Sequence, residues 1–119
     1  MIGKRDTTSS TGARGEALVC KKLQERGLRI LARNVREKSA EIDIVAEDGT
    51  TLCFIEVRTR QDARLGHPAE TINAKKQQSI RRAAEAFLAR RNIVSRPIRF
   101  DVATIIWNDM EFQYFENAF

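Results

Sequence analysis

A chain of 119 residues is one domain's worth, and at that size a core can form without a disulfide or metal staple. It is 42% hydrophobic and 31% charged, and no apolar run nears the roughly 18 residues of a membrane span. All 21 Lys and Arg lie in residues 1–99 with 12 of the 16 acids, a net +9, while the last twenty residues carry four acids and no base.

Fifteen of the bases are Arg, the side chain suited to forked phosphate contacts. A pI near 9.7 favours a polyanionic partner, although a solvated basic surface gives the same totals. The opening MIGKRDTTSS is too polar for a signal peptide and reads as a flexible arm over residues 1–11, before a single domain at 12–119. Cys20 and Cys53 match no metal spacing and sit in apolar runs. Buried, reduced thiols and a cytoplasmic location are expected.

In chain order, GARGEALVCKKLQERG predicts a helix ended by Gly27, with Glu16, Val19, Cys20 and Leu23 on one face. LRILARN predicts a strand. EIDIVAE and TLCFIEVR alternate with period two around an Asp-Gly pair, a hairpin signal. QDARLGHPAET is a loop, in which His67 reads as a residue ordered by Pro68. NAKKQQSIRRAAEAFLARRN predicts a long helix with Asn73 as N-cap and an apolar stripe through Ile80, Ala83, Ala84, Phe87 and Leu88. IRFDVATIIW and EFQYFE close the chain as strands. Trp107, Phe112, Tyr114 and Phe115 there read as core or a dimer surface rather than a base-stacking platform. The order αβββαββ predicts an α/β fold, a mixed sheet flanked by helices with one crossover.

The hairpin register follows from its turn. With Asp48 and Gly49 as a two-residue turn, Asp43 faces Phe54 and Glu41 faces Glu56. One face then holds Ile42, Ile44, Ala46, Cys53, Ile55 and Val57. The other is apolar near the turn and carries Glu41, Asp43, Glu56 and Arg58 at its far end. Asp43 lies diagonal to Glu56, with backbones about 7–8 Å apart. Alternating acids are ordinarily the solvated face of a half-covered sheet. Here Val45, Leu52 and Phe54 share their face, and acids so placed call for a cation: Arg58, or a divalent metal. Glu16 opens the buried stripe of the first helix, although an acid is also favoured near a helix N-terminus. Lys75 and Lys76 sit in the first turn of the long helix, where the dipole disfavours cations and a phosphate would be welcome. Gln77 extends that helix's stripe towards the same end, or faces solvent.

The stretches GARGEALVCKKL, RILARNVR, EIDIVAEDGTTLCFIEVRTR, GHPAETINAKKQQSIRRAAEAFL and RFDVATI, over residues 12–106, resemble the YraN-like family of small bacterial proteins. That family is similar to Holliday-junction-resolvase-like and restriction-endonuclease-like PD-(D/E)XK nucleases. The resemblance implies a nuclease core that binds Mg²⁺ or Mn²⁺ through Asp43 and Glu56, with Glu16 directly or through water. It implies a basic residue at position 58 and an amide or basic residue among Lys75, Lys76 and Gln77. A homodimer is implied by analogy. Two features depart from the pattern: Ser39-Ala40 stands where the family has Gly-Gly, and Arg58 where the nuclease pattern has Lys. A lysine's pKa can fall so that it helps activate water, whereas Arg stays protonated.

The resulting expectation is a nuclease-like protein that binds nucleic acid, DNA first. Glu16, Asp43, Glu56, Arg58 and Gln77 form its site. Lys75, Lys76, Arg60, Arg64, Arg81 and Arg82 are candidate backbone contacts. A binding module that kept the fold without the chemistry, and a protein-interaction domain, are the alternatives.

Overall fold

The computed structural model describes residues 3–61 and 72–119, with side chains from residue 12 onward. The arm at 1–11 thus falls outside the described side chains, and Arg64, His67 and Pro68 fall outside the described residues altogether. Helix α1 (Gly3–Glu25) ends where a left-handed residue is needed. Gly27 has φ 96°, Leu28 N–H bonds Leu23 O at 3.0 Å, and Gly27 N–H bonds Gln24 O at 3.0 Å. Strands β1 (Arg29–Glu37), β2 (Ala40–Asp48) and β3 (Thr51–Arg60) form an antiparallel meander. Helix α2 (Ala74–Arg90) then leads to β4 (Ile98–Ile106), which pairs with β3 in parallel, and β5 (Glu111–Phe115) returns antiparallel to β4. The five strands lie in the sheet in chain order. The α/β sheet flanked by two helices is as the periodicity predicts.

The two helices bury opposite faces of this sheet. On the α1 side, Val19 and Leu23 pack on Ile44, Cys53, Ile55 and Ile105. On the α2 side, Ile80 and Phe87 pack on Val45, Leu52, Phe54 and Phe100. Each large apolar side chain fully buried in these layers contributes about 1.5–3 kcal/mol. A sheet covered on both faces explains why β3 reads as a nearly continuous apolar run from Leu52 to Ile55. Cys20 and Cys53 are buried free thiols of the α1-side layer, as expected, and burial pushes the Cys53 thiol up to about 12.

The β2–β3 register differs from the expected one by two residues. Asp48 pairs with Thr51 and Ile44 with Ile55, so the turn is Gly49-Thr50, with φ 62° at Gly49. The glycine supplies the left-handed conformation as the first turn residue rather than the second, and Asp48 stays in the ladder. Face parity survives a two-residue shift, and Ile44, Ala46, Cys53 and Ile55 remain on one side. Ile42 does not stay with them. It joins the α2-side layer with Val45, three positions away. The alternation changes phase at Asp43, and Asn34 on the neighbouring strand sits at φ 54°. Val35 pairs with Ile42 beyond this point and packs on the same layer.

The β1–β2 turn has φ 51° at Lys38 and 66° at Ser39, two left-handed residues of the kind that suit a tight hairpin and favour Gly or Asn. At the other end, the carboxylate of Asp101, fully buried, accepts from Tyr114 Oη, from Arg99 Nε at 3.0 Å and from Asn117 N–H at 3.0 Å. This cluster fastens β5 and the residues after it to β4. Trp107, Phe112 and Tyr114 pack on the α1-side layer, the first of the two roles, core or dimer surface, expected of the aromatic cluster.

Gly15 marks the closest approach of α1 to the sheet: a Cβ there would stand 2.9 Å from Thr59 Cγ2. Gly15→Ala is expected to lower stability by about 1–3 kcal/mol through overpacking, against the helix-propensity gain of up to about 1 kcal/mol. Adding Thr59→Ser, which removes that methyl, should recover the loss in urea denaturation; a double variant no more stable than the single one would place the strain elsewhere. Ser39→Gly should stabilise by roughly 1 kcal/mol, the order of the left-handed penalty for a residue with a Cβ, and an unchanged urea midpoint would contradict that.

Candidate functional site

The site forms where β2 and β3 stop pairing. The recorded ladder ends at Ile44 and Ile55, so Asp43 and Glu56 are the next residues on each strand. Continued register sets them opposite each other rather than diagonal, and removes Glu41 from the place facing Glu56. Beyond this point the Asp43 carboxylate takes over the ladder's work: its Oδ2 accepts the Val57 N–H at 2.8 Å. That bond fixes the carboxylate between the strands.

Both acids are held protonated more readily than in water. Burial comes first for Asp43, followed by the Glu56 charge, with smaller contributions from Glu16 and Glu41. Its pKa rises to about 7, although the Val57 N–H favours the ionised form. Glu56, 9% exposed, is also raised by burial, while Lys76 and Arg58 pull it down. Two carboxyls this close titrate as a pair, and burial outweighs the cations beside them.

What compensation exists comes from α2 and β3. Asn73 caps α2, its side chain accepting the Lys76 N–H at 2.8 Å. The capped first turn aims Lys76 at the sheet, with Nζ 3.7 Å from Glu56 Oε2. Arg58, half-buried, lies two residues along β3. Glu56, Arg58, Ile72, Asn73 and Lys76 line a cleft of about 330 Å³. A second cleft, of about 380 Å³, is lined by Gly12, Ala13, Glu16, Asn34 and Glu41.

The expected site residues therefore separate. Asp43, Glu56, Arg58 and Lys76 come together. Glu16 is near enough to act on Asp43 electrostatically, and its own ion pair is with Arg33, Nη2 to Oε1 at 3.7 Å. Gln77 donates from Nε2 to Ile72 O at 2.8 Å and so holds the segment that leads into α2. Lys75 and Arg82 are exposed on the same helix. Arg60 Nη1 bonds Thr59 O at 3.1 Å, and Arg81 lies over the Phe100 ring at 4.6 Å. Arg90 is held by Glu37 through two bonds of 2.8 Å. Arg33 and Asn73 were not singled out as site residues. The asparagine carried a signal as N-cap, but Arg33 had none, because its meeting with Glu16 joins β1 to α1.

A buried and a half-buried carboxylate with raised affinity for a proton are an oxygen donor set suited to a hard cation. Mg²⁺ commonly takes one or two carboxylates, with water and phosphate oxygens completing its shell. Among the described residues no group of three His, Cys, Asp or Glu stands ready to hold a metal, so the pair would leave most positions open.

Residues 15–105 match the model of the uncharacterised protein family UPF0102. The chain belongs to this family. A UPF0102 protein of Alkaliphilus metalliredigens is 39% identical over 113 residues, covering 94% of this chain and 99% of the relative. One from Chlorobium limicola is 43% identical, covering 86% and 79%. One from Chlorobium phaeobacteroides is 48% identical, covering 82% and 78%. The UPF0102 match takes in Glu16, Asp43, Glu56, Arg58 and Lys76, over nearly the stretch read as YraN-like.

The pair makes stability depend on pH in a definite direction. Between the ordinary aspartate value of 3.8 and about 7, the folded chain holds a proton that the unfolded chain has lost. Folding therefore takes up a proton there, and stability falls as pH rises. Asp43→Asn keeps an acceptor for the Val57 N–H and removes the buried charge. It should leave stability near pH 4 almost unchanged and raise it by an order of a few kcal/mol at pH 8 in cation-free buffer. Urea denaturation at both pH values checks this, and an equal effect at both would show that the charge is not the cause.

Proposed function

We propose that this UPF0102 protein is a nuclease-like protein that binds DNA and hydrolyses phosphodiester bonds with a divalent cation. The observation that carries the reading is the Asp43–Glu56 pair. Burial raises the proton affinity of both carboxyls, and Glu56 opens to a cleft lined by Arg58 and Lys76. Pairs whose protonation is so perturbed in a cleft are what catalytic chemistry uses. Asp43 and Glu56 would hold Mg²⁺ or Mn²⁺, which when bound lowers the pKa of a water and offsets charge on a phosphate. Arg58 suits a grip on non-bridging phosphate oxygens. Lys76 holds Glu56 in place and offers further donors at the cleft mouth. The capped N-terminus of α2, next to it, favours an anion there. Glu16, tied to Arg33, shapes the field at Asp43 rather than completing the donor set.

Arg58 and the Lys76–Glu56 ion pair also support a second reading, a DNA-binding module without the chemistry. The excess of Arg supports DNA contact under either reading, and the buried thiols suit a cytoplasmic protein. Among the described residues no helix is long and apolar enough to cross a membrane.

The two readings separate in one set of measurements. On the first, Mg²⁺ or Mn²⁺ raises the melting temperature of the protein at pH 8 by several degrees and that of Glu56→Gln by much less. Plasmid or branched DNA is nicked by the protein and at least about 100-fold more slowly by Glu56→Gln. Equal nicking by both proteins would indicate a contaminant and remove the assigned site. Binding without cleavage leaves the module, and its affinity should fall steeply as salt rises. Absence of low-salt binding to duplex, single-stranded and four-way DNA would remove both.

A further inference from the structure

We infer that the cleft between the first described residues of α1 and the β4–β5 turn takes an unpaired nucleobase. This rests on the nucleic-acid reading above and adds a substrate class to it: DNA with a single-stranded end or an unstacked base. The cleft, about 390 Å³, is lined by Arg14, Gln61, Trp107 and Met110. That volume lies within the range of small-ligand clefts.

The chemistry of the lining is that of stacking. The Arg14 guanidinium carbon lies 5.2 Å from the centre of the Trp107 ring, a flat, cationic pair. Such a platform accepts any base, because every base has a π-face. Met110, 62% exposed, adds a soft apolar surface at the tip of the turn, where water would otherwise cover it at a cost. Gln61 donates from Nε2 to Asn108 Oδ1 at 3.0 Å, which leaves its carbonyl for the edge of a base. Trp107 also carries a buried indole N–H with no partner among the described residues.

The walls are fixed in place. Pairing of β3 with β4 runs on past the sheet: Trp107 N–H bonds Arg60 O at 3.0 Å and Asn108 N–H bonds Gln61 O at 2.9 Å. Gly15 brings α1 close to Thr59 of β3, 2.9 Å from where a Cβ would stand, and the same position lies 3.9 Å from the Trp107 ring. Arg14 is two residues before Glu16, so one helix serves both this cleft and the carboxylate site. Asp109, exposed in the same turn between Asn108 and Met110, disfavours a phosphate beside it. A base is the part of a nucleotide that suits the cleft, with its phosphates left towards the arginines.

Trp107 is the only tryptophan, so intrinsic fluorescence reports on this cleft alone. The full chain is titrated, in EDTA, with dye-labelled oligothymidine and with a blunt duplex of equal length, following dye anisotropy and tryptophan emission together. Oligothymidine should quench Trp107 saturably and bind roughly 5- to 100-fold more tightly than it does to Arg14→Met, the range one stacked base supplies. Met110→Ser, on an exposed side chain, should weaken oligothymidine binding in the same sense, and neither change should alter duplex binding by more than about twofold. Oligothymidine that binds by anisotropy without changing Trp107 emission, or unchanged binding in both variants, overturns the base cleft and leaves the DNA reading standing. If neither DNA binds at low salt, both fall together.

Discussion

The bond from the Val57 amide to the Asp43 carboxylate is the interaction around which the rest is arranged. A hairpin that kept zipping past Ile44 and Ile55 would bury its main-chain groups against each other and leave no opening. A carboxylate in place of a carbonyl satisfies the amide and lets the strands part. The parting brings Asp43 and Glu56 to one spot, moves Ile42 to the other layer, and makes a cleft under the first turn of α2. The same bond keeps a buried acid oriented, which desolvation alone would not do. The destabilising charge is tolerated because about a dozen large side chains in two layers stabilise the frame around it.

Much of the fold was legible in the sequence because its signals are local. Gly27 and Asn73 mark helix ends by side-chain chemistry within a turn, and both act as their types predict. The stripe of α2 and the apolar set of β3 follow from fixed periods. The hairpin register departs from expectation for an identifiable reason: Asp-Gly and Gly-Thr both supply a glycine, and only packing decides which pair makes the turn. A shift of two preserves the parity of the faces, but Ile42 changes layer because no period carries a change of phase.

The site was legible in part. Asp43, Glu56 and Arg58 share a hairpin, and their spacing is enough to bring them together. Lys76 could be placed only within a helical turn, and the structure selects it over Lys75 and Gln77 as the residue that reaches Glu56. Arg81 reads in the sequence as a free cation, yet it lies over an aromatic ring, and Arg90 is clamped by Glu37. Those pairings join elements distant in sequence, which charge counting cannot see.

The change of phase at Asp43 has a consequence for how the molecule would respond to substitution. Residues on either side of it belong to different hydrophobic layers, so the carboxylates stand on the seam between two independently packed cores. The distance between them is then a gauge of how one layer sits on the other. A cavity opened beneath Leu23 or beneath Phe87 would shift a different strand, and both shifts would be read at the same pair of oxygens. The geometry of such a pair is a property of the whole sandwich, and drift in either core acts as a mutation at the pair.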